Sequence, residues 1–285
     1  MSVSVLPFEP ARAAVATPVP HSARASSRVR CSLSRAGTAT QASSLFETGG
    51  LRLRFPNAGG ACEGVLINTG GGIAGGDRVV IDCEVGPGAA ATLTTQSAEK
   101  IYRAETTAAG IGVTLRLAAG AKFVWLPQET ILFDGARLSR MLDVAMAGDA
   151  TLTLVESVVF GRIARAERLG DGLLRDRWRI RRDGRLVFAE DVRLDGPIAD
   201  LLDEAACGGG ARGIATVLHI APKAEARLAR LRGVLGKAGS TCGSSAYDGM
   251  IVARFASADP ARVRADVARA AQFILRGGLP RVWSC

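Results

Sequence analysis

The sequence predicts a mainly β protein with two α-helices near its C-terminal end. Three observations carry this. Apolar residues recur at period two in run after run from Val29 to Leu194. Turn signals built from Gly, Asp and Pro separate those runs. Helical spacing becomes convincing only past residue 223. Turns this frequent between strand-like runs exclude alternating βαβ units.

The elements follow in order. Val29, Cys31 and Leu33 alternate with Arg30 and Ser32, and Leu51 and Leu53 alternate with Arg52 and Arg54 up to Pro56. Val79, Ile81, Cys83 and Val85 oppose Asp82 and Glu84 and stop at Gly86-Pro87-Gly88. Ile111, Val113, Leu115 and Leu117 end at Ala119-Gly120. Leu142, Val144 and Met146 lead into Gly148-Asp149, and Leu152 and Leu154 come next. Trp178 and Ile180 alternate with arginines up to Asp183-Gly184, and Leu186, Phe188, Val192 and Leu194 continue to Asp195-Gly196-Pro197. Leu228, Leu231 and Leu235 then recur at helical spacing within 223–236. In the last helix Asp259 is the N-cap and Pro260 the first helical residue; Val263, Val267, Ala271 and Ile274 mark one face, and Gly277-Gly278 supplies the stop. Residues 1–26, with Pro7, Pro10, Pro18 and Pro20, form an expected disordered extension before one β-rich domain over 27–285.

Composition narrows the function classes. At 285 residues and 48% apolar, the chain can bury a sizeable core. It has neither a membrane-spanning apolar run nor a secretory signal, so a soluble, cytoplasmic protein is expected. The net charge of +9 rests on 32 Arg against 4 Lys and favours an acidic protein partner. Aromatics are only 5%, too few to interleave with the basic residues as nucleic-acid binding requires. None of the six cysteines lies in a Cys-x-x-Cys pair, which reads as reduced thiols. His21 and His219 are too few and too far apart for a histidine-built zinc site or a Ser-His-Asp triad.

The run Asn68-Thr-Gly-Gly-Gly-Ile-Ala-Gly-Gly-Asp77 looks like a phosphate cradle, but a cradle needs a helix next. Here a strand-spaced run follows, and Gly-Lys-Ser/Thr is missing. Gly70, Gly71, Gly72, Gly75 and Gly76 therefore serve backbone geometry, with Asp77 accepting backbone N–H bonds in the loop.

This run, with Leu93-Thr-Thr-Gln96, Lys100-Ile-Tyr-Arg103, Trp125-Leu-Pro-Gln-Glu-Thr-Ile-Leu-Phe-Asp-Gly-Ala-Arg137, Gly161-Arg162 and Pro280-Arg-Val-Trp283, resembles the urease accessory protein UreD (UreH) family. Val124 and Val155 depart from residues common in that family. The resemblance implies an elongated superhelical stack of strands with two C-terminal helices. It implies a non-enzymatic factor that binds apo-urease and UreF, with the GTPase UreG recruited through UreF. It also implies no tightly bound cofactor, only transient Ni²⁺, and a water-filled tunnel with acids at positions comparable to Glu156 and Glu190.

A factor that passes Ni²⁺ onward must hold it weakly, which suits scattered carboxylates rather than a His or Cys cage. Glu156 and Glu190, set in apolar strand runs, and Asp77 are the candidate liners. An acid in such a run must be paired, hydrogen-bonded or wet. The competing reading is a salt bridge to Arg, with Arg162 as partner of Glu156. Thr94, Thr95, Gln96, Lys100 and Arg162 are candidates for polar lining or partner contact. Trp125, Leu126 and Pro127 read as core. A second function class is a β-sandwich carbohydrate hydrolase using Asp134 and Glu156 as acid and base, for which sugar-stacking aromatics are scarce.

Overall fold

The computed structural model describes residues 24–56 and 62–284. Most of the expected N-terminal extension, and Cys285, lie outside these residues. A hairpin of β1 (Ser26–Ala36) and β2 (Ala39–Thr48) is followed by β3 (Leu51–Arg54) and β4 (Cys62–Asn68). Next come β5 (Arg78–Val85), β6 (Ala90–Thr95), the short β7 (Glu99–Ile101), β8 (Ala109–Leu117), β9 (Lys122–Leu126) and the short β10 (Thr130–Leu132). The body is completed by β11 (Arg137–Met146), β12 (Thr151–Phe160), β13 (Gly172–Arg182) and β14 (Arg185–Gly196). The last third holds α1 (Ile198–Asp203), β15 (Gly213–Ile220), α2 (Leu228–Leu235), β16 (Thr241–Tyr247), β17 (Met250–Ser257) and α3 (Pro260–Leu275).

These strands form two facing sheets. The first has the order β14-β13-β11-β8-β5-β1-β2; the second runs β16-β17-β15-β12-β9-β6-β4-β3, with β10 and β7 attached beside β12. Between β4 and β13 the chain crosses repeatedly from one sheet to the other. Within the first sheet β1, β5, β8, β11 and β13 pair in parallel; within the second, β4, β6, β9 and β12 do. Parallel neighbours usually need a helical crossover. Here the crossover is a strand of the opposite sheet, so each coil supplies one strand to each layer. This is the stacked-strand scaffold that the family resemblance implies. Antiparallel strands finish both ends of each stack.

The turns between layers stack as well. Gly88 N donates to Ala119 O at 2.9 Å, and Gly120 N donates to Asp149 Oδ1 at 2.9 Å. Gly120 holds φ +66°, which is why a glycine ends that run.

Inward-pointing residues of the period-two runs meet between the layers: Cys31, Ile81, Leu115 and Val144 from the first sheet, Leu53, Leu93, Phe123 and Leu154 from the second. The second sheet is buried on both faces where β12, β15 and β17 run. Its outer face (Val155, Val217, Ile251, Phe255) is covered by Leu231, Val263, Val267 and Ile274 of α2 and α3 and by Trp283. Among the described residues no helix is long and apolar enough to cross a membrane.

Two details differ from the sequence reading. There are three α-helices among the described residues; α1 was missed because six residues show no helical repeat. Asp259 caps α3 as expected, accepting from Ala261 N at 2.9 Å, but Arg276, not a glycine, adopts the left-handed C-cap at φ 55°.

Candidate functional site

The glycine run is a loop whose backbone must approach its neighbours closely. A Cβ on Gly72 would lie 2.4 Å from the Tyr102 ring, and Tyr102 Oη donates to Gly71 O at 2.9 Å. Asp77 fixes the far end. Its Oδ1 accepts from Ala25 N and its Oδ2 from Ala74 N, each at 2.8 Å. Both oxygens are thus committed to backbone. At its near end the loop places Asn68 Nδ2 3.0 Å from Glu99 Oε1, a half-buried carboxylate on β7.

Two adjoining cavities, each open to the surface on one side, follow from Glu99. The first, about 120 Å³, is lined by polar groups including Thr95, Gln96, Glu99, Lys100, Gln128 and Thr130. The second, about 370 Å³, is lined by Asp176, Glu190, Thr216, Cys242 and Arg254, among others. Arg140 and Glu156 line both and form their common wall.

That wall is a buried ion triad. Arg140 and Asp176 are register neighbours on β11 and β13, and Glu156 faces them from β12 in the opposite sheet. Arg140 Nε donates to Asp176 Oδ1 at 3.0 Å and Nη2 donates to Asp176 Oδ2, a two-point hold. Arg140 Nη1 donates to Glu156 Oε2 and, at 3.4 Å, to Thr130 Oγ1 of β10. The indole N–H groups complete the set: Trp125 Nε1 donates to Glu156 Oε1 at 2.8 Å, and Trp178 Nε1 to Asp176 Oδ1 at 3.2 Å. Burial pushes the Glu156 carboxyl above the ordinary range; Arg140 opposes this and Asp176 adds to it. Burial alone would lower Arg140, but the two carboxylates raise it instead. Glu190 is raised by burial against the pull of Arg254, to which it pairs at 3.0 Å.

The residues singled out from sequence separate into groups. Glu156, Glu190, Thr95, Gln96 and Lys100 line the cavities. Asp77 lies in neither. Thr94 points to the helix-covered face, where its Oγ1 accepts from Trp283 Nε1 at 3.2 Å. Arg162 does not reach Glu156: four residues of strand, about 13 Å, separate Glu156 from the end of β12 at Phe160, and Arg162 lies beyond the turn at Gly161. Arg162 pairs with Glu167 instead and stacks on Phe133 at 4.4 Å. Asp134 lies apart from Glu156, bound to Arg103 at 3.1 Å and to Gly170 N at 2.8 Å, so the acid–base pair weighed for a hydrolase is not brought together. Trp125, Leu126 and Pro127 are buried, as read. His219 sits 3.0 Å from Thr153 Oγ1 and is pushed down to about 4 by burial and by Arg227. Among the described residues no group of three or more His, Cys, Asp or Glu side chains is disposed to hold a metal ion, and the five described cysteines are free thiols.

Sequence reasoning missed Arg140, Asp176 and Glu99. For the first two a signal existed. Leu138, Arg140, Leu142 and Val144 share one parity, as do Leu174, Asp176, Trp178 and Ile180. A charge at the parity of the core marks an inward group needing a partner. Glu99 carried no such signal, because β7 is only three residues long.

Two separated motifs also meet. Gln128 Nε2 donates to Val282 O at 3.0 Å, and Arg264 joins Glu129 (2.8 Å) to the Trp283 ring (5.1 Å). The Trp-Leu-Pro-Gln-Glu segment is therefore the seat of the C-terminal Pro-Arg-Val-Trp segment.

Glu99 gives a pH signature. Burial raises its carboxyl above the ordinary value, so the folded chain binds that proton more tightly than the unfolded chain. Stability from this group is present below about pH 4.3 and is lost as pH rises through the higher folded value. Glu99→Gln keeps an acceptor for Asn68 and removes the charge. The variant should gain on the parent progressively as pH rises above about 4.3 in urea denaturation, and a pH-independent difference would refute this.

The UreD model, described as UreD urease accessory protein, matches residues 24–284. The urease accessory protein UreD of Methylobacterium sp. (strain 4-46) is 50% identical over 258 residues, covering 87% of this chain and 90% of that one. That of Xanthobacter autotrophicus is 42% identical over 261 residues, covering 92% and 90%. The UreD 2 protein of Methylorubrum populi is 47% identical over 274 residues, covering 93% and 92%. With a match spanning nearly all of the described residues, the chain belongs to the UreD family of urease accessory proteins.

Proposed function

We propose that this chain is a urease maturation factor in the cytoplasm: a scaffold of the accessory complex through which Ni²⁺ passes into apo-urease. In this reading it contacts UreF and apo-urease, meets the GTPase UreG through UreF, and makes or breaks no covalent bond. The observation that carries the reading is the succession Glu99, Glu156, Glu190 along two adjoining cavities between the sheets. Oxygen donors scattered in this way bind a borderline cation such as Ni²⁺ weakly, which suits cargo rather than cofactor. The stacked coils hold these donors on strands rather than loops, which fixes their spacing.

The test is the double variant Glu156→Gln, Glu190→Gln. Both changes are isosteric, and Arg140 keeps Asp176 as its counter-ion. The complex with UreF and urease should still co-purify, while the nickel content of urease falls by about tenfold or more, the scale on which losing a metal-facing group acts. Full nickel loading by the double variant would sink the reading.

A further inference from the structure

We propose that Arg140 is a gate between the two cavities: its guanidinium holds the cationic position in their common wall, and a divalent cation crosses only by exchanging with it on Glu156. This rests on the proposed function and deepens it.

The reasoning begins with position. Arg140 occupies a core-parity site on β11 and is 4% exposed. A charge there costs several kcal/mol unless fully paired, and apolar residues of similar volume would serve stability as well or better. Arg140 also borders both cavities, so removing its side chain would join them.

The hold on Arg140 is unequal. Nε and Nη2 bind Asp176, its neighbour in the same sheet; Nη1 alone reaches across the interior, to Glu156 and, at 3.4 Å, to Thr130 Oγ1. The cross-interior contact can open while the guanidinium stays anchored on Asp176. Glu156 would then keep its place through Trp125 on Oε1, leaving Oε2 free to take a cation. Charge permits the exchange: one guanidinium faces two carboxylates, so the triad has room for further positive charge. Oxygen donors stand on either side, Thr130 and Gln128 in the first cavity and Glu190 and Thr216 in the second. The arginine also keeps the two carboxylates from becoming a trap. With it in place a cation is passed; without it a cation would enter and remain.

Trp125 and Trp178, bonded to the two triad carboxylates, are built-in reporters. The purified full chain is titrated with Ni²⁺ and quenching of indole emission is followed, with bound Ni²⁺ counted by equilibrium dialysis. Arg140→Gln should quench at a Ni²⁺ concentration at least tenfold below the parent. Arg140→Lys, which keeps the charge but not the fork on Asp176, should fall between the two. Adding Glu156→Gln to either should restore the parent value. If Arg140→Gln does not fold, Arg140→Lys with and without Glu156→Gln decides the matter. Parent-like quenching in every folded Arg140 variant overturns the gate, as does a tightened value that Glu156→Gln leaves in place. Tightened binding together with unimpaired urease loading by the Glu156, Glu190 double variant would instead remove the path and leave Arg140 guarding a closed cation site.

Discussion

Arg140→Ala should destabilise the chain by about 3–5 kcal/mol, because it leaves Glu156 and Asp176 as uncompensated buried carboxylates. The effect belongs to the broken pairing rather than to the lost volume. A triple replacement, Arg140→Met with Glu156→Leu and Asp176→Leu, removes all three charges and should recover most of that loss in urea denaturation. Trp125 and Trp178 would then each lack an acceptor, which sets a residual cost of about 1–3 kcal/mol apiece. A triple variant no more stable than Arg140→Ala would show that the triad itself stabilises the fold. Near-parental stability of Arg140→Ala would show that water already reaches the carboxylates.

Trp283→Ala should cost a similar amount, about 3–5 kcal/mol, the range for deleting a buried large aromatic. The indole packs into the second core and is 8% exposed. Its Nε1 donates to Thr94 Oγ1 and Leu126 O, both at 3.2 Å, and Arg264 stacks on its ring. Trp283→Phe keeps most of the volume and loses the N–H, so about 1 kcal/mol is expected from the hydrogen bonds. A loss below about 1 kcal/mol for Trp283→Ala would mean that the C-terminal segment contributes little to the core.

Much of the fold was legible in the sequence, because period-two alternation directly records which residues face the core. The runs at Val29–Leu33, Val79–Val85 and Ile111–Leu117 all became strands with the expected faces inward. The N-cap Asp259 was legible for an equally local reason. What escaped was pairing at a distance. Glu156 was recognised as an acid needing a partner, but the partner chosen, Arg162, was close in sequence rather than in space. The real one, Arg140, sits in the other sheet, and only the coil register brings the two face to face. Thr94 was grouped with Thr95 and Gln96 although adjacent strand residues point to opposite layers. The meeting of Gln128 and Glu129 with the C-terminal segment, across 154 positions in the case of Gln128 and Val282, has no local trace at all.

The alternation of strands between layers has a consequence for how disturbance spreads. Each coil touches chiefly the coil before and the coil after, so coupling is nearest-neighbour, as in a zipper. Loosening of the β1–β2 hairpin is separated from the Arg140 wall by the intervening β5 and β8 of the same sheet. One end of such a molecule can breathe, or reshape itself against another protein, while the spacing of its inner carboxylates stays fixed.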